Sequence, residues 1–304
     1  RECLQCNKGC VDAISQRRYI SCILNAENGD EGTIFIKPAD AKKHVVIVGA
    51  GVAGLEAARV AGLRGHDVDV YEKEDKIGGQ IHIASVPPRK SEILRAVEYY
   101  EKVLPRMNNV KVHLGTPVTK EIMNAADAVI IAVGAHNLHI PLEGADSKNV
   151  VSSWDILDCK VKGEGHCVVI GGGLVGAETA EYLANHGCKV SIIEMMDKIA
   201  KEESSTVLPT MMQDFAMHGV AQYINTKVIS ISNDGKCVKA FNTAENKEVM
   251  IECDMVVMAA GSVKNKFDVE GVNVPVYYAG DCSGERTAGI AEAIRSGYKA
   301  GNEI

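Results

Sequence analysis

Aromatic residues make up only 5% of this 304-residue chain, with four Phe and a single Trp, while Gly occurs 29 times. That balance disfavours a β-sandwich and suits α/β units joined by tight backbone turns. Positive charge is also short: the formal net charge is -7, which excludes a polyanion-binding surface and with it nucleic acid as a partner. No apolar run approaches the ~20 residues that cross a bilayer, and the N-terminus lacks the basic, apolar, small-residue order of a signal peptide. A cytoplasmic protein with no membrane partner is therefore expected. The nine His include no HxxxH or HExxH pair that would mark a helix-borne metal site. An initiator Met is missing too, because the chain opens on Arg1, and a fragment of a longer polypeptide is the expectation.

What is present begins with a glycine loop. In "KHVVIVGAGVAGLEAARVAGLRGHDVDVYEKE" an apolar strand at residues 45–48 runs into Gly49, Gly51 and Gly54, a helix follows, and a second strand at residues 67–71 ends on Glu72. In a dinucleotide-binding unit the first Gly makes the turn, the second lets backbone approach a pyrophosphate, and the third packs helix on strand. The acid closing the second strand meets the adenosine ribose. The pattern recurs in "HCVVIGGGLVGAETAEYLANHGCKVSIIEMMD", with Gly171, Gly173 and Gly176 before the helix and Glu194 after the second strand. Two such sites imply two dinucleotides, or one and a relic. Glu194 would accept a ribose 2'-hydroxyl and repel a 2'-phosphate, so NADH is expected over NADPH, with Lys198 the nearest opposing charge.

Further apolar strands end in Gly turns: "ADAVIIAVGA" closes on Gly134, "CDMVVMAAGS" on Gly261, and "VYYAGDCSG" on Gly280 and Asp281 before a helix expected from about Thr287. The stretch at 205–220 reads as a helix, and "GKCVKAFNTAENKEVMIEC" as two strands around a polar turn. In this order, the first glycine loop with Glu72, Gly78-Gly79-Gln80, Ala132-Val133-Gly134, the second loop with Glu178, and Gly280-Asp281 resemble the flavoproteins with two dinucleotide-binding domains. The resemblance implies an α/β fold of two Rossmann-like domains, as in the flavoprotein disulfide reductases, with the FAD domain interrupted by the nicotinamide domain. It places Gly49, Gly51, Ala53, Gly54, Glu72, Lys73, Gly79, Gln80, Val118, Gly134, Gly280, Asp281 and Ala288 on FAD. It places Gly171, Gly173, Leu174, Val175, Gly176, Glu178, Glu194 and Gly261 on the nicotinamide nucleotide. No catalytic acid or base is implied, since hydride passes between cofactors. The expected divisions are 1–40 for a cysteine segment and connector, 41–150 with 263–304 for FAD, and 151–262 for NAD(H).

Disulfide reduction is disfavoured. No Cys lies between Cys22 and Cys159, and "GGQIHIAS" stands where a disulfide reductase carries its thiol pair. The scattered Cys159, Cys167, Cys188, Cys237 and Cys253 contain no CxxC and read as small hydrophobes, as does Cys282.

The thiols that carry chemistry are at the start. Cys3, Cys6, Cys10 and Cys22 are spaced C-x2-C-x3-C-x11-C. Three ligands on one loop and a fourth from afar suit a 4Fe-4S cluster; structural zinc, the other chemistry open to four thiols, usually takes them in two paired knuckles. With this spacing the chain resembles the iron-sulfur flavoenzymes typified by 2,4-dienoyl-CoA reductase, trimethylamine dehydrogenase and the 2-enoate reductases. That resemblance implies an N-terminal FMN TIM barrel, absent from this sequence, as partner domain and holder of the small-molecule substrate; a homo-oligomer is compatible with it. The implied activity is oxidation of NADH by FAD and delivery of single electrons through the cluster to a barrel that reduces an activated alkene. The alternative is an ADP-binding module without flavin, as in relatives of trimethylamine dehydrogenase.

Overall fold

The computed structural model describes residues 1–284 and 289–304. The chain forms two compact units: Arg1–His82 with Glu92–His136 and Val263–Ile304, and Ile83–Ser91 with Asn137–Ser262. Among the described residues no helix is long and apolar enough to cross a membrane.

The first unit is built on a five-stranded parallel sheet in the spatial order Val276–Tyr278, Ala128–Ile131, His44–Val48, Asp67–Tyr71, Val110–His113. Val45, Val46 and Ile47 are wholly buried, as the unbroken apolar run at this central strand requires when both faces of a parallel sheet are covered. On one face lies the helix Val52–Leu63, which leaves the central strand at the first glycine loop. The C-terminal helix Ile290–Glu303 packs over it through glycines: a Cβ on Gly297 would fall 2.1 Å from the Ala53 carbonyl oxygen, and one on Gly301 2.7 Å from that of Ala57. Only residues without a side chain allow that approach. The opposite face carries Val46, Val48, Val129 and Ile131, packed with Met123 and Cys282.

The cysteine segment is not a body of its own. Leu4, between Cys3 and Cys6, and Leu24, just after Cys22, enter the core of the first unit with Val45, Ala57 and Tyr100.

In the second unit the order is Val150–Ser152, Met255–Met258, His166–Ile170, Lys189–Ile193, Ala221–Tyr223, again all parallel. The helices Leu174–Asn185 and Leu208–Met217 cover one face. An antiparallel sheet of Thr226–Ile231, Cys237–Asn242 and Lys247–Glu252 covers the other, with Val168, Ile170, Val256 and Met258 against Val238 and Ile251. The helix read over 205–220 is shorter at both ends. Pro209 sits in its first turn, and His218 and then Gly219, at φ +65°, close it.

Residues 137–150 fall in the second unit because Ile140 and Leu142 pack on its antiparallel sheet and Ile231 N donates to the Glu143 carbonyl at 2.8 Å. The short piece Ile83–Ser91 joins it through ion pairs described below.

Candidate functional site

The two glycine loops are built alike. Gly49 (φ +102°) and Gly171 (φ +103°) turn the chain off the central strands in a left-handed conformation that L side chains rarely adopt. The third glycines pack the helices down: a Cβ on Gly54 would lie 2.0 Å from the Gly49 carbonyl oxygen, and one on Gly176 1.9 Å from that of Gly171. The middle glycines, Gly51 and Gly173, face open space. Each thus presents bare backbone at a helix N-terminus, where amide donors and the helix dipole favour a phosphate.

The acids expected on the riboses brace these loops. Glu72 accepts from Ala50 N at 2.7 Å and from Glu74 N at 3.0 Å. Glu194 repeats the arrangement with Gly172 N at 2.6 Å and Met196 N at 2.7 Å. Each carboxylate oxygen keeps a lone pair beyond its backbone donor, enough to accept from a ribose hydroxyl. Lys198, the cation nearest Glu194 in sequence, is exposed.

Around the first loop the expected residues converge. Gly78 N donates to the Ala50 carbonyl at 2.8 Å, and a Cβ on Gly79 would sit 3.3 Å from Gly51 Cα. Gln80 Nε2 donates to Asp281 Oδ2 at 3.1 Å, beside Gly134. Gly280, at φ +72°, abuts Ala53, and its N–H donates to Ser296 Oγ at 2.7 Å. Val118 packs half-buried with Ile122 and Met123 under the sheet, while Lys73 is exposed and pairs with Glu74 at 3.5 Å. Thr287 and Ala288 lie outside the described residues. Cys282 is buried, with its thiol donating to the carbonyls of Ala279 and Ile131 at 3.2 and 3.4 Å, the place of a packing residue.

Around the second loop, Leu174 is half-buried, Val175 is exposed, and Gly261 (φ +112°) accepts from Leu138 N at 2.9 Å. Glu178 is drawn to a partner the sequence did not suggest. Lys90 Nζ lies 2.9 Å from Glu178 Oε1 and 2.7 Å from Glu203 Oε2. Its neighbour Arg89 pairs with Glu181 and, at 2.8 Å, with Asp214. Burial pushes the Glu181 carboxyl up to about 7 against the pull of Arg89.

Cys3, Cys6, Cys10 and Cys22 line one cavity of about 480 Å³ in the first unit. The distant fourth thiol is brought in by a backbone clasp. Ser21 N donates to the Gly9 carbonyl at 2.7 Å, and Gly9 has no room for a Cβ, which would fall 2.4 Å from the Ser21 oxygen. Gln5 and Asn7 take left-handed conformations within the loop. Backbone amides already point at sulfur: Gln5 N donates to Cys3 Sγ at 3.3 Å and Leu24 N to Cys22 Sγ at 3.4 Å. Burial pushes the Cys6 thiol up, and the nearness of Cys10, Cys22 and Cys3 adds to that. Among the described residues no group of three or more His, Cys, Asp or Glu is already placed to hold a metal.

Sequence reasoning missed Lys90, Arg89, Glu56 and Arg59. Their signal was faint but present, an acid two residues after the third glycine in both loops.

Residues 43–282 match the pyridine nucleotide-disulphide oxidoreductase family. The chain is 48% identical over 309 residues to bilirubin reductase of Mediterraneibacter gnavus, covering 100% of this chain and 47% of that protein. It is 36% identical over 318 residues to NADH oxidase of Thermoanaerobacter brockii, covering 100% and 48%. The structure of 2-naphthoyl-CoA reductase with 2-naphthoyl-CoA superposes with a TM-score of 0.90 at 33% identity, over 99% of this chain and 46% of that one. The chain spans about half the length of the relatives it matches. With its paired parallel sheets and twin glycine loops, the chain belongs to the pyridine nucleotide-disulphide oxidoreductase family, flavoproteins that bind FAD and a nicotinamide nucleotide.

Proposed function

We propose that this chain is the electron-entry module of a larger iron-sulfur flavoenzyme. The first unit holds FAD, the second holds NADH, and Cys3, Cys6, Cys10 and Cys22 hold a 4Fe-4S cluster. When bound, FAD takes the two electrons of a hydride together and releases them singly, which a cluster that accepts one at a time requires. The onward acceptor is an FMN barrel elsewhere in the full-length protein, which reduces an activated alkene. Relatives named for reducing bilirubin and 2-naphthoyl-CoA, and one named for oxidising NADH, support the two ends of this reading.

The observation that carries it is the single cavity shared by four cysteines. Four cysteines on one cavity of this size suit a group that brings its own volume, and the amides of Gln5 and Leu24, which donate to Cys3 and Cys22, are the donors a cluster's thiolate ligands use. Amides at Gly51 and Gly173 bind and orient the two pyrophosphates. Glu194, held by two backbone donors, selects the free 2'-hydroxyl of NADH.

FAD is favoured over ADP by Gln80, Gly134 and Asp281, which meet beyond the glycine loop where ADP alone would need no partner. The test is an assay of the anaerobically purified full-length protein for FAD, iron and acid-labile sulfide, with absorption spectra before and after NADH. Flavin bands that bleach, alongside four iron and four sulfide beyond any other site's share, are the expected outcome. A protein that takes up ADP but no FAD, and ignores NADH, contradicts the proposal.

A further inference from the structure

One helix, Val52–Leu63, links the first glycine loop to the cysteine cavity. One turn along it Glu56 is wholly buried, and three side chains converge on its carboxylate. Arg1 Nη2 donates to both oxygens at 2.7 and 2.9 Å. Arg59 donates through Nε at 2.9 Å and Nη2 at 2.8 Å. The Tyr100 hydroxyl donates at 2.9 Å, and burial holds that phenol well above its usual range, so it stays a donor. The Arg1 guanidinium also lies 4.9 Å from the Tyr99 ring centroid.

Both arginines line the cysteine cavity, and their side chains are only 13% and 11% exposed. One carboxylate against two guanidiniums leaves one uncompensated positive charge, fixed in a wall shielded from water. Two further acids line the same cavity, and among the described residues neither forms an ion pair with Arg1 or Arg59. Glu27 accepts from Tyr298 at 2.8 Å, and Glu2 lies toward Arg95 at 3.9 Å.

We propose that Glu56 is a positioning residue that fixes Arg1 and Arg59 as a cationic wall, raising the potential at which a cluster in the cysteine cavity is reduced. The inference rests on the cluster reading above. One-electron reduction of a cluster makes and breaks no bond and adds one negative charge, with reduced flavin as the electron donor. Fixed positive charge in a low-dielectric wall favours the more negative, reduced form. Two guanidiniums would repel each other and swing to solvent unless Glu56 held both, which is why the anion belongs to the device.

The test is a redox titration of the full-length protein followed by low-temperature EPR, with iron and sulfide assayed in each variant. Arg59→Met, which cancels the excess charge, is expected to lower the reduction equilibrium constant about tenfold, or about 59 mV for a one-electron couple. Glu56→Gln, which adds one positive charge while keeping a hydrogen-bonding side chain, shifts it the opposite way. Arg59→Lys keeps the charge and stays near wild type. Should Arg59→Met lose iron, Arg1→Met removes the same charge and leaves the Arg59 fork in place. Opposite shifts support the wall; shifts of one sign, or none in fully loaded variants, overturn it while leaving the cluster. Wild-type protein without iron and sulfide at these cysteines would instead overturn the cluster reading, and the wall with it.

Discussion

Glu56 and Glu178 stand at the same place in two copies of one motif, two residues after the third glycine of each loop. Each captures a basic residue from a segment outside its own strand-helix-strand unit, Arg1 from the cysteine segment and Lys90 from the piece that follows Gln80. Three residues further on the copies diverge. Arg59 in the first helix joins Arg1 on Glu56, whereas Glu181 in the second attracts a further cation, Arg89. The first copy is therefore a buried anion wrapped in excess positive charge, and the second a patch of acids, Glu181 and Glu203 buried and Glu178 half-buried, clamped by a basic loop. One scaffold has been used twice, and the charge at a single helical position decides what docks on it. The cysteine segment, proposed above to hold a negatively charged cluster, sits on the copy with two arginines to one acid.

The contrast predicts unequal costs. Glu56→Ala leaves two nearly buried guanidiniums without their anion and is expected to cost about 3–5 kcal/mol. Glu178→Ala costs less, because Glu203 still holds Lys90. Chemical denaturation of the two variants side by side measures this, and equal losses break the comparison.

Gly54→Ala and Gly176→Ala come next, at about 2–3 kcal/mol of overpacking each, because their new methyls meet carbonyl oxygens that cannot yield. They separate the units by function. Gly54→Ala is expected to lose FAD, while Gly176→Ala keeps FAD and weakens NADH binding at least about tenfold. Flavin content and the NADH dependence of bleaching read the two effects.

Lys90→Met takes the cation from the Glu203 carboxylate, whose side chain is 1% exposed and keeps the Ser204 N donor at 2.7 Å, and is expected to cost about 1.5–2 kcal/mol. Proteolysis within residues 83–91 should speed up accordingly, and an unchanged cleavage rate counts against the clamp.

The smallest effect is a pH slope. The folded Glu181 carboxyl titrates at about 7 and its unfolded counterpart at about 4.3. Between those values the folded unit holds a proton that the unfolded chain has lost. Stability therefore falls as pH rises through that window and levels off above it, by about 1–2 kcal/mol. Asp214 acts elsewhere: despite burial, hydrogen bonds from Arg89 and Glu181 hold it below the usual carboxylate range, so its contribution is lost only as pH falls below about 4. Glu181→Gln is expected to flatten the slope between pH 5 and 7, seen as melting temperatures that no longer fall across it.

Legibility in the sequence followed distance along the chain. Gly49, Gly51 and Gly54, Glu72, and their counterparts in the second unit announce themselves because strand, turn, helix and acid are neighbours within about thirty residues. The convergence of Gln80 with Asp281, 201 residues apart, was legible only through resemblance to known flavoproteins. Glu56 escaped because an acid inside a helix is ordinarily a solvated face, and only Arg1 and Tyr100, brought in from other segments, make it a buried hub. Lys90 escaped for the same reason. The division at 136 and 137 differs from the expected 150 because strand periodicity says nothing of which sheet Ile140 and Leu142 will cover.

The most direct test of the account is low-temperature EPR of the anaerobic full-length protein frozen after NADH is added, compared with Cys6→Ser. The account predicts bleached flavin together with a reduced-cluster signal in the wild type, and bleached flavin with that signal lost in the variant. Flavin that bleaches in both with the same signal, or with none, would contradict it.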